Sequence, residues 1–200
     1  CTICTERVLA AASTVTDGFN WESTYQFSLA DMKYISMPGN FTFRNLVTYV
    51  TKFINTPGVA GTFPTNSAGV NSGSIPHVKG FFTQQYEEDN WEIHVSENWI
   101  SEGKFNNAWV QCTPGTCPVS TLQNPTTNLN SIPAVVYFNA GGSVTLNDHW
   151  KVYAQIDNLL NQDPLQVGHS DNFNAANNGG GPTLYDAVGR MFHIGVRIDN

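Results

Sequence analysis

The chain has 200 residues, of which 12% are charged and 12% aromatic, with a formal net charge of −7. That length suits one domain with a sizeable core. The acidic balance offers no basic patch to meet phosphates, which excludes a nucleic-acid partner. No stretch reaches the roughly 18 consecutive apolar residues of a transmembrane helix. Asn, Thr, Ser and Gly fill much of the remainder, a balance that favours an all-β chain over a helical one. A membrane-spanning strand needs only about 9–11 residues, half of them apolar, so a mean hydropathy of −0.24 is compatible with one.

Residues 1–14 are too irregular to assign, and no apolar leader follows Cys1. Residues 17–29 alternate, with Phe19, Trp21, Tyr25, Phe27 and Leu29 on one face and Asn20, Glu22, Thr24, Gln26 and Ser28 on the other, so they predict a strand. Met37-Pro38-Gly39-Asn40 marks a turn. Phe41 to about Ile54 predicts the next strand, with Phe41 and Phe43 opposite in sense to Arg44 and a pattern that blurs near Leu46, as a bulge or a weak register would make it. Residues 55–76 are rich in Gly, Pro, Asn and Ser and read as a loop.

Strands are expected again at His77–Tyr86 and Trp91–Glu102, separated by the polar turn Glu87-Glu88-Asp89-Asn90. A long loop covers 103–133. Ala134–Leu146 and Trp150 to about Asn158 form a hairpin across Asn147-Asp148-His149. After a loop at 159–186, Phe192, Ile194, Val196 and Ile198 alternate with His193, Gly195 and Arg197 in a last two-faced strand.

About seven strands result, and their connections alternate short and long. An ordinary soluble meander has no reason to sort its connections so. An outer-membrane barrel does, with short turns on the periplasmic side and long loops outside. Aromatics near predicted strand ends (Trp21, Trp91, Trp99, Trp150, Tyr25, Tyr49, Tyr86, Tyr153) suit the interfacial girdles of such a barrel. The competing architecture is a soluble secreted β-sandwich with disulfide loops that acts as a binding module. Solubility without detergent would separate the two.

Four cysteines fall in two close pairs, Cys1/Cys4 and Cys112/Cys117. They read as two disulfides closing short loops in an oxidising compartment, with one four-thiolate zinc site as the alternative. Thr113-Pro114-Gly115-Thr116 is a turn-forming insert that suits a small disulfide loop. No βαβ pattern surrounds Cys1-Thr2-Ile3-Cys4, which disfavours a redox role.

No catalytic constellation is visible. Ser74 lacks a nucleophile elbow, and His77, His94, His149, His169 and His193 show no metal-binding spacing. Glu87-Glu88-Asp89 reads as a solvated turn. Asp171-Asn172-Phe173-Asn174 lacks the Gly and terminal Glu of a calcium loop. An enzyme, a cofactor and a metal are therefore not expected.

Two stretches in order at the end of the chain, "VYAQIDNLLNQDP" (152–164) and "LYDAVGRMFHIGVR" (184–197), resemble the C-terminal end of TonB-dependent outer-membrane receptors. In that family the penultimate strand ends in V-x-N-L-hydrophobic-(N/D)-x-x-P, and a Y-x-x-x-G-R-x-(F/Y)-x-hydrophobic-G-V strand closes the barrel. Gly189, Arg190, Phe192, Ile194, Val196 and Arg197 occupy the closing-strand positions. "NSIPAVVYFNAGGSVTLNDHWKVYAQ" (130–155) is similar to the family's preceding hairpin. Family members end on an aromatic that the barrel-assembly machinery reads, whereas this chain ends Ile198-Asp199-Asn200.

The resemblance implies that residues 1–200 are the C-terminal portion of a barrel of about 22 strands, a fragment of a longer protein that carries the plug domain, earlier strands and TonB-binding segment, the alternative being that the rest of the barrel comes from elsewhere. It implies an outer-membrane location, contact with outer-membrane lipid, and energy relayed by the TonB complex through the absent N-terminal part. The imported small molecule would be of the siderophore, cobalamin or oligosaccharide class. Expected ligand contacts are the loop residues Phe63, Asn106, Asn107, Trp109, Phe173 and Tyr185, because aromatic and amide groups suit such ligands. Charges on the expected inner face (Glu22, Arg44, Lys79, Glu92, Lys151, Arg197) are expected to pair across strands or with a plug.

Overall fold

The computed structural model describes residues 12–31, 37–58, 61–163, 184–186 and 188–198. Seven long strands follow one another: β1 Ser13–Ser28, β2 Asn40–Thr56, β3 Val78–Glu88, β4 Trp91–Ile100, β5 Val135–Asn147, β6 Trp150–Asp157 and β7 Met191–Ile198. Each pairs antiparallel with the next, so sheet order equals chain order. The fold is all-β and antiparallel, as the alternation predicts. β1 and β7 are edges, and no ladder joins them among the described residues. Thr65–Asn66 adds a two-residue rung to the end of β2.

The connections sort to two ends. At the turn end, β3 and β4 join through Asp89-Asn90, where Asp89 takes a left-handed φ of 43°, a conformation Asp tolerates better than most residues. The β5–β6 turn is held by Asn147, whose Oδ1 accepts from the backbone N–H of His149 (2.9 Å) and Trp150 (3.0 Å). At the loop end lie the described residues of the stretches 57–58, 61–77, 101–134, 158–163, 184–186 and 188–190.

Register shows which side chains share a face. One face gathers Trp21, Val47 and Trp99, then Tyr25, Phe43, Val95, Ala140, Ile156 and Phe192, across successive strands. Tyr25, Phe27, Phe41 and Phe43 form an aromatic ladder with neighbouring ring centroids 4.8–5.7 Å apart. Ser23, Asn45, Gln84 and Glu97 interrupt this face. Little covers it: Trp21 is 55% exposed and Ile194 81%.

The opposite face is polar and laterally cross-linked. Arg44 pairs with Glu22 at 2.8 Å, and Lys151 approaches Glu92 at 4.0 Å. The His193 Nε2 lies 2.9 Å from Asp157 Oδ2. Two of the expected cross-strand charge pairs are thus present within the sheet itself.

The buried cluster sits on that polar side, at the loop end. Ile100, Val135 and Tyr137 from β4 and β5 pack with Phe105, Ile132, Leu184 and Tyr185 from the loops. Two expectations need correction. The β2 bulge is not at Leu46, which pairs in register with Glu22 and Phe81. It is at Thr51, the extra residue between the pairs Asp17–Lys52 and Gly18–Val50, where the Thr51 hydroxyl donates to the Asp17 carbonyl (2.8 Å). Tyr153 belongs to no girdle; it lies mid-strand on the polar face, its ring laid over Gly195.

Candidate functional site

The two C-terminal motif stretches meet in space. Asn158, 2% exposed and at φ 51°, ends β6. Its Oδ1 accepts from the Gln162 N–H (2.7 Å), and its Nδ2 donates to the Gln162 carbonyl (2.9 Å) and to Asp186 Oδ2 (2.8 Å). Asp186 Oδ1 in turn accepts from the N–H of Val188 (2.9 Å) and Gly189 (3.3 Å). Gly189 takes φ 83°, the left-handed region where a side chain would be strained. Asn161 Oδ1 receives the Arg190 N–H (3.2 Å). Two carboxamides and a carboxylate thereby fix how the last strand enters the sheet. Beyond this point Phe192, Ile194 and Val196 lie exposed on the apolar face, and Arg197 on the polar one.

Above the sheet, the first two long loops enclose a cleft of about 810 Å³. Its walls include Trp109, Asn107, Lys104, Glu102, Gln111 and Ser131. Trp109 stacks on Phe105 at 6.4 Å and 25°. The cleft is built by carboxamides that replace missing ladder partners. Asn107 Nδ2 donates to the carbonyls of Asn66 (2.9 Å) and Ala68 (2.8 Å), tying the two loops together. Buried Asn130 donates to the carbonyls of Asn106 and Trp109 and accepts from the Asn106 N–H. Asn71, also buried, donates to the Ser101 carbonyl (2.8 Å) and the Tyr185 hydroxyl (3.0 Å), so it links all three loops. Burial pushes the Tyr185 phenol above its usual value, partly offset by the Asn71 hydrogen bond.

Of the expected ligand contacts, Asn107 and Trp109 line this cleft and Asn106 braces its wall. Phe63 is 73% exposed and is not part of the lining. Tyr185 is buried in the cluster beneath and is not part of the lining. Phe173 lies outside the described residues. Cys112 and Cys117 form a disulfide; Cys1 and Cys4 lie outside the described residues. Sequence reasoning had Asn158 as a position of the V-x-N-L motif without a role for its side chain, and it missed Asn71 and Asn130. Their only signal is the density of Asn in Gly-rich loops, which reads as turn chemistry rather than as long-range bracing.

Among the described residues, no three His, Cys, Asp or Glu side chains come together to hold a metal ion. Among those residues, too, no helix is long and apolar enough to cross a membrane, which says nothing of a β-barrel. Compared with family models, with curated proteins and with solved structures, the chain matches none. What the structure defines is therefore an architecture: an antiparallel meander with one bare apolar face, one cross-linked polar face, and a braced cleft at the end where the long loops gather.

Proposed function

We propose that residues 1–200 are the C-terminal part of a TonB-dependent receptor barrel in the outer membrane, importing a scarce small molecule captured at its outer loops. The observation that carries this is the inversion of the usual burial pattern. A water-soluble sheet hides its apolar face; here the apolar face is bare, and the loops fold onto the polar one. Lipid outside and a polar interior would account for both, as would the sorting of short turns and long loops. The joined motif stretches around Asn158 and Asp186 support the same reading.

The test uses tryptophan. Trp21, Trp91, Trp99 and Trp150 lie on the apolar face, and Trp109 lies in the cleft. In vesicles of brominated lipid, a Trp109→Phe chain should lose most of its fluorescence. Uptake by cells carrying the whole reading frame should stop when TonB is deleted. A chain that stays monodisperse without detergent and is not quenched would sink the membrane reading. TonB-independent uptake would sink the transport reading.

A further inference from the structure

One patch of the apolar face is polar. Register sets Ser23, Asn45, Phe82, Glu97 and Phe138 in a single cross-strand row over β1 to β5. Gln84 stands in the next row toward the turn end, between Phe43 and Val95. The row is also low. The Phe82 ring leans along its own strand over Gly80, in space a Cβ would occupy, and so leaves a shallow trough between Asn45 and Glu97. From Ser23 to Glu97 the row crosses β1 to β4, about 14 Å at the usual strand spacing, a little more than the roughly 10–12 Å width of an α-helix.

The patch has hydrogen-bonding capacity to spare. Asn45 Nδ2 donates to the Ser23 hydroxyl at 3.2 Å. Among the described residues, the side chains of Gln84 and Glu97 make no hydrogen bond or ion pair. Glu97 is half-buried, with Phe82 and Phe138 as its cross-strand neighbours. A carboxylate among rings is costly wherever water is scarce, and it persists where something pairs with it.

We propose that Ser23, Asn45, Gln84 and Glu97 form a docking seam for a membrane-spanning segment of a different protein, one that presents a lysine or arginine from its own apolar surface. The inference rests on the apolar face meeting lipid: water would satisfy Glu97 on a soluble sheet, and hydrocarbon does not. Charge selects the occupant. The apolar face of a second copy brings one cation among the described strands, Lys52, and that residue already stands opposite Asp17. A lipid headgroup does not reach the whole patch. Trp21 and Trp99, one row nearer the loop end, fit the interface, and Gln84 lies two rows inside them. A partner's cation on Glu97, with its polar neighbours on Gln84 and Asn45, satisfies every member of the patch.

The experiment places the protein, made from its whole reading frame, in lipid vesicles with a dansyl-labelled helix of about 20 leucine and alanine residues bearing one central lysine. Energy transfer from tryptophan reads association. The lysine helix should bind saturably, about tenfold more tightly than the same helix with leucine in that place. Glu97→Gln should erase this lead, and Glu97→Lys should pass it to a helix with a central glutamate. Moving the carboxylate, as Glu97→Gln with Ile194→Glu, should not restore it. Should the Glu97 variants not fold, Asn45→Leu with Gln84→Leu, apolar changes on an apolar face, should still weaken the lysine helix. A protein quenched by brominated lipid that shows no preference for lysine, or a preference that survives Glu97→Gln or follows the carboxylate to position 194, overturns the inference and leaves the receptor reading standing. A protein that is not quenched removes both.

Discussion

The apolar sheet face and the loop-end cluster hold the same kinds of side chain in opposite circumstances. Ile194 on the sheet is 81% exposed; Ile132 in the cluster is 1% exposed. Ile132 gains its stability inside the molecule, worth about 1.5–3 kcal/mol for a buried aliphatic side chain. Ile194 gains nothing there. Whatever stabilises the apolar face comes from its surroundings, while the loop end carries its own core and should keep its shape wherever the sheet is placed.

The sharpest way to break this comparison is a pair of substitutions, one in each region. Phe105→Ala in the cluster should cost about 3–5 kcal/mol, read by denaturant unfolding, and by nearly the same amount in detergent and in lipid. Val95→Arg, in the middle of the apolar face, should cost about 2–4 kcal/mol in lipid vesicles, as lipid-facing arginines do near mid-bilayer. If Val95→Arg costs less than about 0.5 kcal/mol there, as an ordinary surface change would, the face does not meet lipid.

A smaller effect sharpens the account of the loop end. The Tyr185 phenol titrates higher in the fold than in the unfolded chain, whose value is about 10. Its neutral form is therefore favoured by folding. The resulting stability is fully present below about pH 10 and is lost as pH rises through the raised folded value. Tyr185→Phe should flatten this alkaline loss, followed by near-ultraviolet dichroism, while costing about 1 kcal/mol at neutral pH for the bond from Asn71. An unchanged alkaline profile would assign the loss to another group. The smallest effect belongs to the Arg44–Glu22 pair, 60% and 54% exposed. A double-mutant cycle should return less than about 1 kcal/mol; a larger coupling would mean that the pair is screened from water.

The strands were legible because period-two alternation is a local signal. Every predicted strand is present, with ends displaced by a few residues at most. The bulge was misplaced because Leu46 breaks the hydrophobic pattern without breaking the pairing. Thr51, which does break the pairing, sits in a run (Val50-Thr51-Lys52-Phe53) where polar and apolar residues disguise the shift. The cleft was half legible. Asn107 and Trp109 stand out as amide and aromatic groups in a loop, but nothing local says that Tyr185 turns inward. Its fate depends on Asn71, 114 residues earlier in the chain. Long-range carboxamide bracing leaves no periodicity to read.

The two edges of the sheet are unlike: β1 runs for 16 residues and β7 for 8. Each presents a row of backbone donors and acceptors that the described strands do not pair. Copies meeting in water through one of these edges would each still offer the other. Such contacts build an open ribbon rather than a closed dimer. Production of these 200 residues alone in water should therefore favour insoluble polymer over a defined oligomer. Short competing strands matched to the longer edge should shorten that polymer.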